Sequence, residues 1–193
     1  RLDAQAQVIS DMREAGLFPS GPMLDYGAGD GKLAQRTKTM GVDLRPFEPA
    51  MPAAEGFLER KDLKPGAFGF VLSCSVLEHL LGYETLEEMV SLLLPNGVLG
   101  IHTVIVEDVP RDPNWFYYLP VHSAFFTNRS MQILFERWEF RSSFYHSHAK
   151  LWLFSKLLLE DLPQAVRDIL KQAEWTAQNS FVSWNLTRRT AVG

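Results

Sequence analysis

The chain is poor in the features that stabilise or anchor proteins by covalent or membrane chemistry. Cys74 is the single cysteine among 193 residues, so no intrachain disulfide can form, and a reducing compartment suits it. No apolar run approaches about 18 residues and no signal-peptide pattern opens the sequence, so a soluble, cytoplasmic protein without a membrane partner is expected. The 19 basic and 23 acidic side chains leave a net charge of −4, and no long basic run is present, which argues against duplex nucleic acid as a partner. Internal repeats and low-complexity linkers are also lacking. What remains is 46% hydrophobic content, enough for one compact domain over residues 1–193.

The most informative stretch runs from Met23 to Ala34. A short apolar strand leads into three alternate glycines, Gly27, Gly29 and Gly31, and then into a helix. Without Cβ atoms the backbone can turn sharply and lie against a ligand, while the helix presents unpaired N–H groups. The acidic Asp25 ends the strand, and Asp43 follows 18 positions later. A strand placed at 40–44 would bring Asp43 to its tip, positioned to accept hydrogen bonds from a ribose. A dinucleotide fingerprint would require Gly at position 32, which is Lys.

The segment Asp25-Tyr26-Gly27-Ala28-Gly29-Asp30-Gly31 resembles the first motif of class I S-adenosylmethionine (SAM)-dependent methyltransferases, Asp/Glu-x-Gly-x-Gly-x-Gly. Three further motifs follow in that family's order. They are the acidic Asp43, the run from Phe68 to Leu80 ending in Val76-Leu77-Glu78-His79-Leu80, and a turn and strand from Leu94 to Thr103. The resemblance spans roughly residues 20–105. It implies an α/β fold, a doubly wound, mostly parallel seven-stranded sheet closed by an antiparallel C-terminal hairpin. It implies SAM as cofactor, with S-adenosylhomocysteine as product, and a methyl acceptor. On it, Asp25, Gly27, Gly29, Gly31, Asp43 and Leu44 hold the cofactor, and its adenine lies among Asp62, Leu63 and the run Ser73, Cys74, Ser75 and Val76. Asp62 would accept from the adenine amino group. Two departures are visible. Only 12 positions separate Gly31 from Asp43, leaving room for a helix of no more than about two turns, and Gly69 stands where the family often has Asp.

Apolar spacing predicts the remaining elements. Leu2, Ala6, Ile9 and Met12 mark an opening helix. Strands are expected near 22–26, 40–44, 56–59, 69–74 and 97–106, with a helix from Tyr83 through Leu93 before the last of these. Met131, Leu134, Phe135 and Trp138 mark a helix capped by Thr127 or Asn128. Glu139–Phe144 and Lys150–Ser155 would form the closing hairpin. Pro163 then opens a terminal helix with Val166, Ile169 and Leu170 on its apolar face.

Residues 107–126 follow a strand at the sheet's carboxyl edge, where open α/β sheets bind ligands, and form the expected substrate cap. Trp115, Phe116, Tyr117, Tyr118, His122, Phe125 and Phe126 place seven large rings in twelve positions. They read either as packing beneath a long connection or as a wall for a small-molecule acceptor, with Trp115, Tyr117 and Tyr118 as substrate contacts. Methyl transfer from a sulfonium asks mainly for alignment, plus a base to remove the acceptor's proton. Candidates are His122, Glu78 and His79; imidazole changes charge near neutrality, which favours a histidine. His102, in an apolar strand run, reads as a core residue. Glu78, His79 and His122 are also similar to the divalent-ion site of small-RNA 2′-O-methyltransferases and ubiquinone-pathway O-methyltransferases. The first acid of their Glu-x-x-Glu-His pattern is Ser75 here, so no metal is assigned. A nicotinamide-dependent oxidoreductase and a non-catalytic SAM- or nucleotide-binding relative remain as alternatives.

Overall fold

The computed structural model describes residues 1–51 and 54–184. Its elements follow in the order α1 (Leu2–Glu14), β1 (Met23–Tyr26), α2 (Lys32–Lys38), β2 (Leu44–Phe47), β3 (Phe68–Cys74), α3 (Glu84–Ser91), β4 (Leu93–His102), α4 (Asn128–Arg137), β5 (Ser142–His146), β6 (Leu151–Ser155), α5 (Gln164–Ile169) and β7 (Trp175–Gln178). Among the described residues no helix is long and apolar enough to cross a membrane.

One seven-stranded sheet carries the order β2-β1-β3-β4-β6-β5-β7. The first four strands are parallel neighbours, whereas β4–β6, β6–β5 and β5–β7 are antiparallel. The expected closing hairpin is therefore present as β5 and β6; parallel and antiparallel pairings are equal in number, while five of the seven strands, β1 to β5, run in the same direction. Alternation along each strand divides the core. Leu24, Tyr26, Val71, Leu99, Ile101, Trp152 and Phe154 face the side covered by α3 and α4. Met23, Phe70, Leu72, Val98, Leu151 and Leu153 face α1, α2 and α5. This period of two, with helices on both faces, is what a buried sheet demands.

Two expectations fail at the edges. Residues 56–59 form no strand. Leu58 donates to Pro46 O at 2.8 Å, and a 3₁₀ turn at Arg60–Asp62 follows. The seventh strand comes instead from Trp175–Gln178, so the helix after Pro163 is not terminal. Smaller shifts occur at Leu93, which opens β4 opposite Phe68 instead of closing a helix, and at residues 103–106, which lie beyond β4. Helix α2 has seven residues, the two turns expected. Thr127 caps α4, its Oγ1 accepting from Ser130 N at 3.1 Å. Gly69 stands where Asp is common because a Cβ there would meet Pro19 O at 2.3 Å.

Gly100 sits between β3 and β6, opposite Leu72 and Leu153. A Cβ there would lie 2.8 Å from both Leu72 Cδ1 and Phe70 Cζ. Both side chains are fully buried. Overpacking of a tight core costs about 1–3 kcal/mol, so Gly100→Ala should lower unfolding free energy by that amount in urea titrations; unchanged stability would show that the two strands yield there.

Candidate functional site

The glycine turn joins β1 to α2 at the carboxyl edge. Gly27, Gly29 and Gly31 have φ of 76°, 55° and 72°, a left-handed region that disfavours any Cβ. Space separates their roles. A Cβ on Gly27 would stand 2.4 Å from Val76 Cγ2 and one on Gly31 2.9 Å from Phe57 Cζ, whereas one on Gly29 meets nothing within 4 Å. Gly29 thus borders open space that a ligand can occupy. The N–H groups of Gly27 and Ala28 both donate to Phe47 O, at 2.8 and 3.0 Å, locking the turn against the end of β2.

The carboxylate at that end is Glu48. Its Oε2 accepts from Gly29 N at 2.8 Å and its Oε1 from Ala50 N at 2.9 Å. Asp43 and Leu44 lie at the opposite end of β2, since Leu44 pairs with Met23 and Phe47 with Tyr26. Asp43 and Glu48 are five residues apart along the strand, about 16 Å at roughly 3.3 Å each. The carboxylate beside the glycine turn is therefore Glu48 and not Asp43. The sequence signal was Pro49, directly after Glu48, which ends the strand; Val42-Asp43 suggested an earlier one.

Asp25 sits behind the turn, 2% exposed. Burial, with the negative charge of Glu48 added, pushes its pKa up to about 7. Ser75, just past β3, has φ of 56°, an uncommon backbone for a non-glycine residue, and its N–H donates to His102 O at 2.8 Å. Cys74 is half-buried, and burial raises its thiol pKa well above the usual value. Ser73 is enclosed within β3 with no exposed surface, so it does not reach the edge. Asp62, the expected adenine contact, is exposed and lies in the 3₁₀ turn that follows Leu58. Its Oδ2 accepts from Glu59 N at 2.8 Å in a reciprocal cap, while the adjoining Leu63 packs against the core. The hollow beside Glu48, about 190 Å³, is bounded instead by Phe47, Pro49, Met51, Leu58, Glu59 and Arg60.

Further along the edge, a 3₁₀ turn at Leu77–His79 follows β3. Glu78 is 2% exposed. Its Oε1 accepts from Tyr117 Oη at 2.7 Å and its Oε2 from Thr103 Oγ1 at 3.0 Å. Burial and the Glu78 carboxylate push Tyr117 up to about 12, keeping that hydroxyl a donor. The Glu78 carbonyl accepts from Ser123 N and Ala124 N at 2.8 and 3.1 Å. The two histidines are held through Nδ1: His122 to Tyr117 O at 2.8 Å and His79 to Val121 O at 2.9 Å. Because a carbonyl only accepts, Nδ1 is the donor in each ring, which leaves Nε2 as the nitrogen able to present a lone pair. The rings stand 4.9 Å apart, edge to face. The ligating atoms of Glu78, His79 and His122 all lie within 4.8 Å of one another. The missing first acid thus does not prevent these residues from gathering as a metal-ligating set would.

The cap 107–126 is closed at its ends by an Ile105–Phe126 bridge and by Val106 N donating to Phe126 O at 3.1 Å. Trp115 is its hub, with Phe116, Tyr117, Tyr118 and Phe125 at centroid distances of 5.1–5.9 Å. The tyrosine hydroxyls are not presented to a substrate. Tyr117 holds Glu78, and Tyr118 donates to Pro110 O. His102 donates from Nδ1 to Lys150 O at 2.7 Å and meets Arg1 through Nε2 at 3.0 Å, the core role expected of it.

The Asp25 environment makes stability pH-dependent. In the unfolded chain the carboxyl loses its proton near 3.8, in the folded one near 7. Between those values the folded state holds the extra proton, so this group's contribution falls as pH rises and levels off above about 7. Three pH units at about 1.4 kcal/mol each put the effect on the order of 4 kcal/mol. Asp25→Asn cannot ionise, so its melting temperature relative to wild type should rise between pH 4.5 and pH 8; a constant difference would remove Asp25 as the titrating group.

No protein-family profile matches this sequence, and neither does any curated protein at a significant level. Solved structures do share its fold. A SAM-dependent methyltransferase from Archaeoglobus fulgidus superposes with a TM-score of 0.53 at 18% identity, covering 73% of this chain and 72% of that one. DesVI from Streptomyces venezuelae gives 0.55 at 16% identity, covering 81% and 92%. An O-methyltransferase family protein from Burkholderia thailandensis gives 0.55 at 15% identity, covering 78% of this chain and 55% of that one. The chain has the Rossmann-like α/β fold found in SAM-dependent methyltransferases.

Proposed function

We propose that this chain is a SAM-dependent methyltransferase acting on an oxygen or nitrogen of a small-molecule acceptor. The observation that carries the reading is the pairing of open space over Gly29 with a carboxylate, Glu48, at the tip of the neighbouring strand. Those are the groups a nucleoside needs, a backbone approachable without a Cβ and an acceptor for ribose hydroxyls. The residues present therefore fit the cofactor that the fold implies. Bound there, SAM would supply an activated methyl group.

The chain's own residues account for the rest. Glu48 would accept from the ribose, and the turn at Gly27–Gly31 would lie against the ligand. Nε2 of His122 would take the acceptor's proton while Nδ1 stays anchored on Tyr117 O. Positioning carries most of the rate in such a reaction, on the order of 7–11 kcal/mol, and a base adds about 10²- to 10⁴-fold. Glu78, with both oxygens engaged and its carbonyl holding the cap, orients the histidines and is not the base. Excess acid over base in the composition supports a small molecule over duplex nucleic acid.

The convergence of Glu78, His79 and His122 favours a second reading of the same residues. One carboxylate and two imidazoles suit Zn²⁺, Mn²⁺ or Fe²⁺ better than Mg²⁺, which prefers oxygen. In that case the imidazoles would be ligands and the acceptor's oxygen would be held by the ion.

Two experiments test these roles. By calorimetry, Glu48→Ala should weaken SAM binding by about 1–3 kcal/mol while Asp43→Ala leaves it unchanged; equal losses would refute the assignment of Glu48. The acceptor is sought by incubating the protein with methyl-labelled SAM and a metabolite library. With the acceptor found, His122→Ala should lower turnover about 10²-fold or more with SAM affinity intact. If chelation abolishes wild-type turnover and Zn²⁺ or Mn²⁺ restores it, the metal reading replaces the base. Full activity in His122→Ala would exclude both roles for His122.

A further inference from the structure

A pocket of about 420 Å³ opens between the start of α3, the end of the cap and α4. That volume falls within the range of small-molecule sites, about 300–1,000 Å³. It lies against the candidate site. One wall, Leu80–Tyr83, continues directly from His79, and the other, Ser123–Phe126, continues directly from His122. The walls are pinned together where they leave the histidines, with Ser123 Oγ donating to Leu80 O at 2.9 Å and Ser123 N to Glu78 O at 2.8 Å. The imidazole pair and the pocket thus share one rigid frame.

Its chemistry is one-sided. None of the twelve lining residues carries a charge, although the pocket is open to solvent on a chain with 22% charged residues. Its two serine hydroxyls are engaged within the protein, Ser123 on Leu80 O and Ser130 in the cap of α4, which leaves the exposed Tyr83 hydroxyl as its other polar side-chain group. Leu86, Leu134 and Phe126 form part of the floor and belong to or pack on the core. At the rim, Leu81 is 95% exposed and Ile133 47%. Large apolar side chains left in water around a concave site mark a binding surface.

We propose that this pocket holds the uncharged hydrocarbon part of the methyl acceptor, an aryl or alkyl group, with the acceptor's polar end directed toward His79 and His122. This rests on the methyltransferase reading above and narrows it to acceptors with an apolar body and one reactive hydroxyl or amine. A charged body would lose its hydration against Leu80, Phe125 and Phe126 with no opposite charge to receive it.

The neutral fluorophore N-phenyl-1-naphthylamine serves as probe, with SAM binding measured separately by calorimetry on the same proteins. The wild type should bind the probe saturably at one equivalent. Ile133→Glu and Leu81→Glu each put a charge on the rim at a solvent-accessible position compatible with folding, and should weaken that binding at least tenfold. Leu119→Glu, an exposed apolar position outside the pocket, should change it less than twofold. Ring-proton resonances of His79 or His122 should shift on saturation more than those of His146 and His148 in the β5–β6 turn. Absence of saturable binding, equal losses in all three variants, or unshifted His79 and His122 would overturn the proposal. Probe binding without any SAM binding would remove the methyl-transfer reading and keep an apolar site; SAM binding without probe binding would do the reverse.

Discussion

The buried carboxylate of Glu78 is the constraint around which the functional edge is organised. A carboxylate removed from water is tolerated only when donors surround it, and here they come from two different segments: Thr103, just past β4, and Tyr117 in the cap. The same residue's carbonyl takes two N–H groups from the cap's end. Cap and sheet are thereby fastened at one residue. Fixing the cap also fixes the histidines, because Nδ1 of each leans on a cap carbonyl, at Tyr117 or Val121. Without the Tyr117 hydroxyl, Glu78 would keep one donor in a dry site and the imidazoles would lose their common frame.

The glycine turn uses a similar device with the opposite exposure. Glu48 takes N–H groups from Gly29 and Ala50 at the open edge, while Asp25, enclosed behind it, holds its proton up to about pH 7. Two carboxylates near one another resist being charged together. Enclosure thus keeps a proton on Asp25, while the oxygens of the less buried Glu48 stay at the open edge. Burial is the larger cause of the raised Asp25 value.

The parts legible in the sequence were those set by local chemistry. Alternate glycines after a strand, the Thr127 cap and the continuous apolar runs of β3, β4 and β6 all state their structure within a few residues. So did the aromatic density of the cap, though not its use: that Tyr117 would serve Glu78 depends on a contact across 39 positions, which no spacing reveals. The end of β2 was misread because Val42-Asp43 looks like a strand with an acidic tip, while Arg45 and Pro46 dilute the apolar pattern of the real strand. Likewise, residues 56–59 have strand-like side chains but only one ladder bond, Leu58 to Pro46. Trp175–Gln178 becomes a strand because β5 offers an edge, which is a tertiary fact.

That rearrangement of edges bears on how the candidate cofactor site works. Pro46 has no N–H to offer an outer strand, and in place of a third strand a short 3₁₀ turn crosses beside β2. Arg60 from that turn stacks over Phe47, 5.3 Å from its centroid, and pairs with Glu88, which also accepts from Tyr26 Oη at 2.5 Å. This small ionic cluster replaces the missing strand as the brace of the β1–β2 edge. The space it leaves beside Glu48 is shallow and partly charged, so an adenine there would gain little from enclosure. Recognition of the nucleoside would then depend chiefly on the glycine backbone and Glu48, and the apolar selectivity of the molecule would reside at the other end of the edge, beyond the histidines.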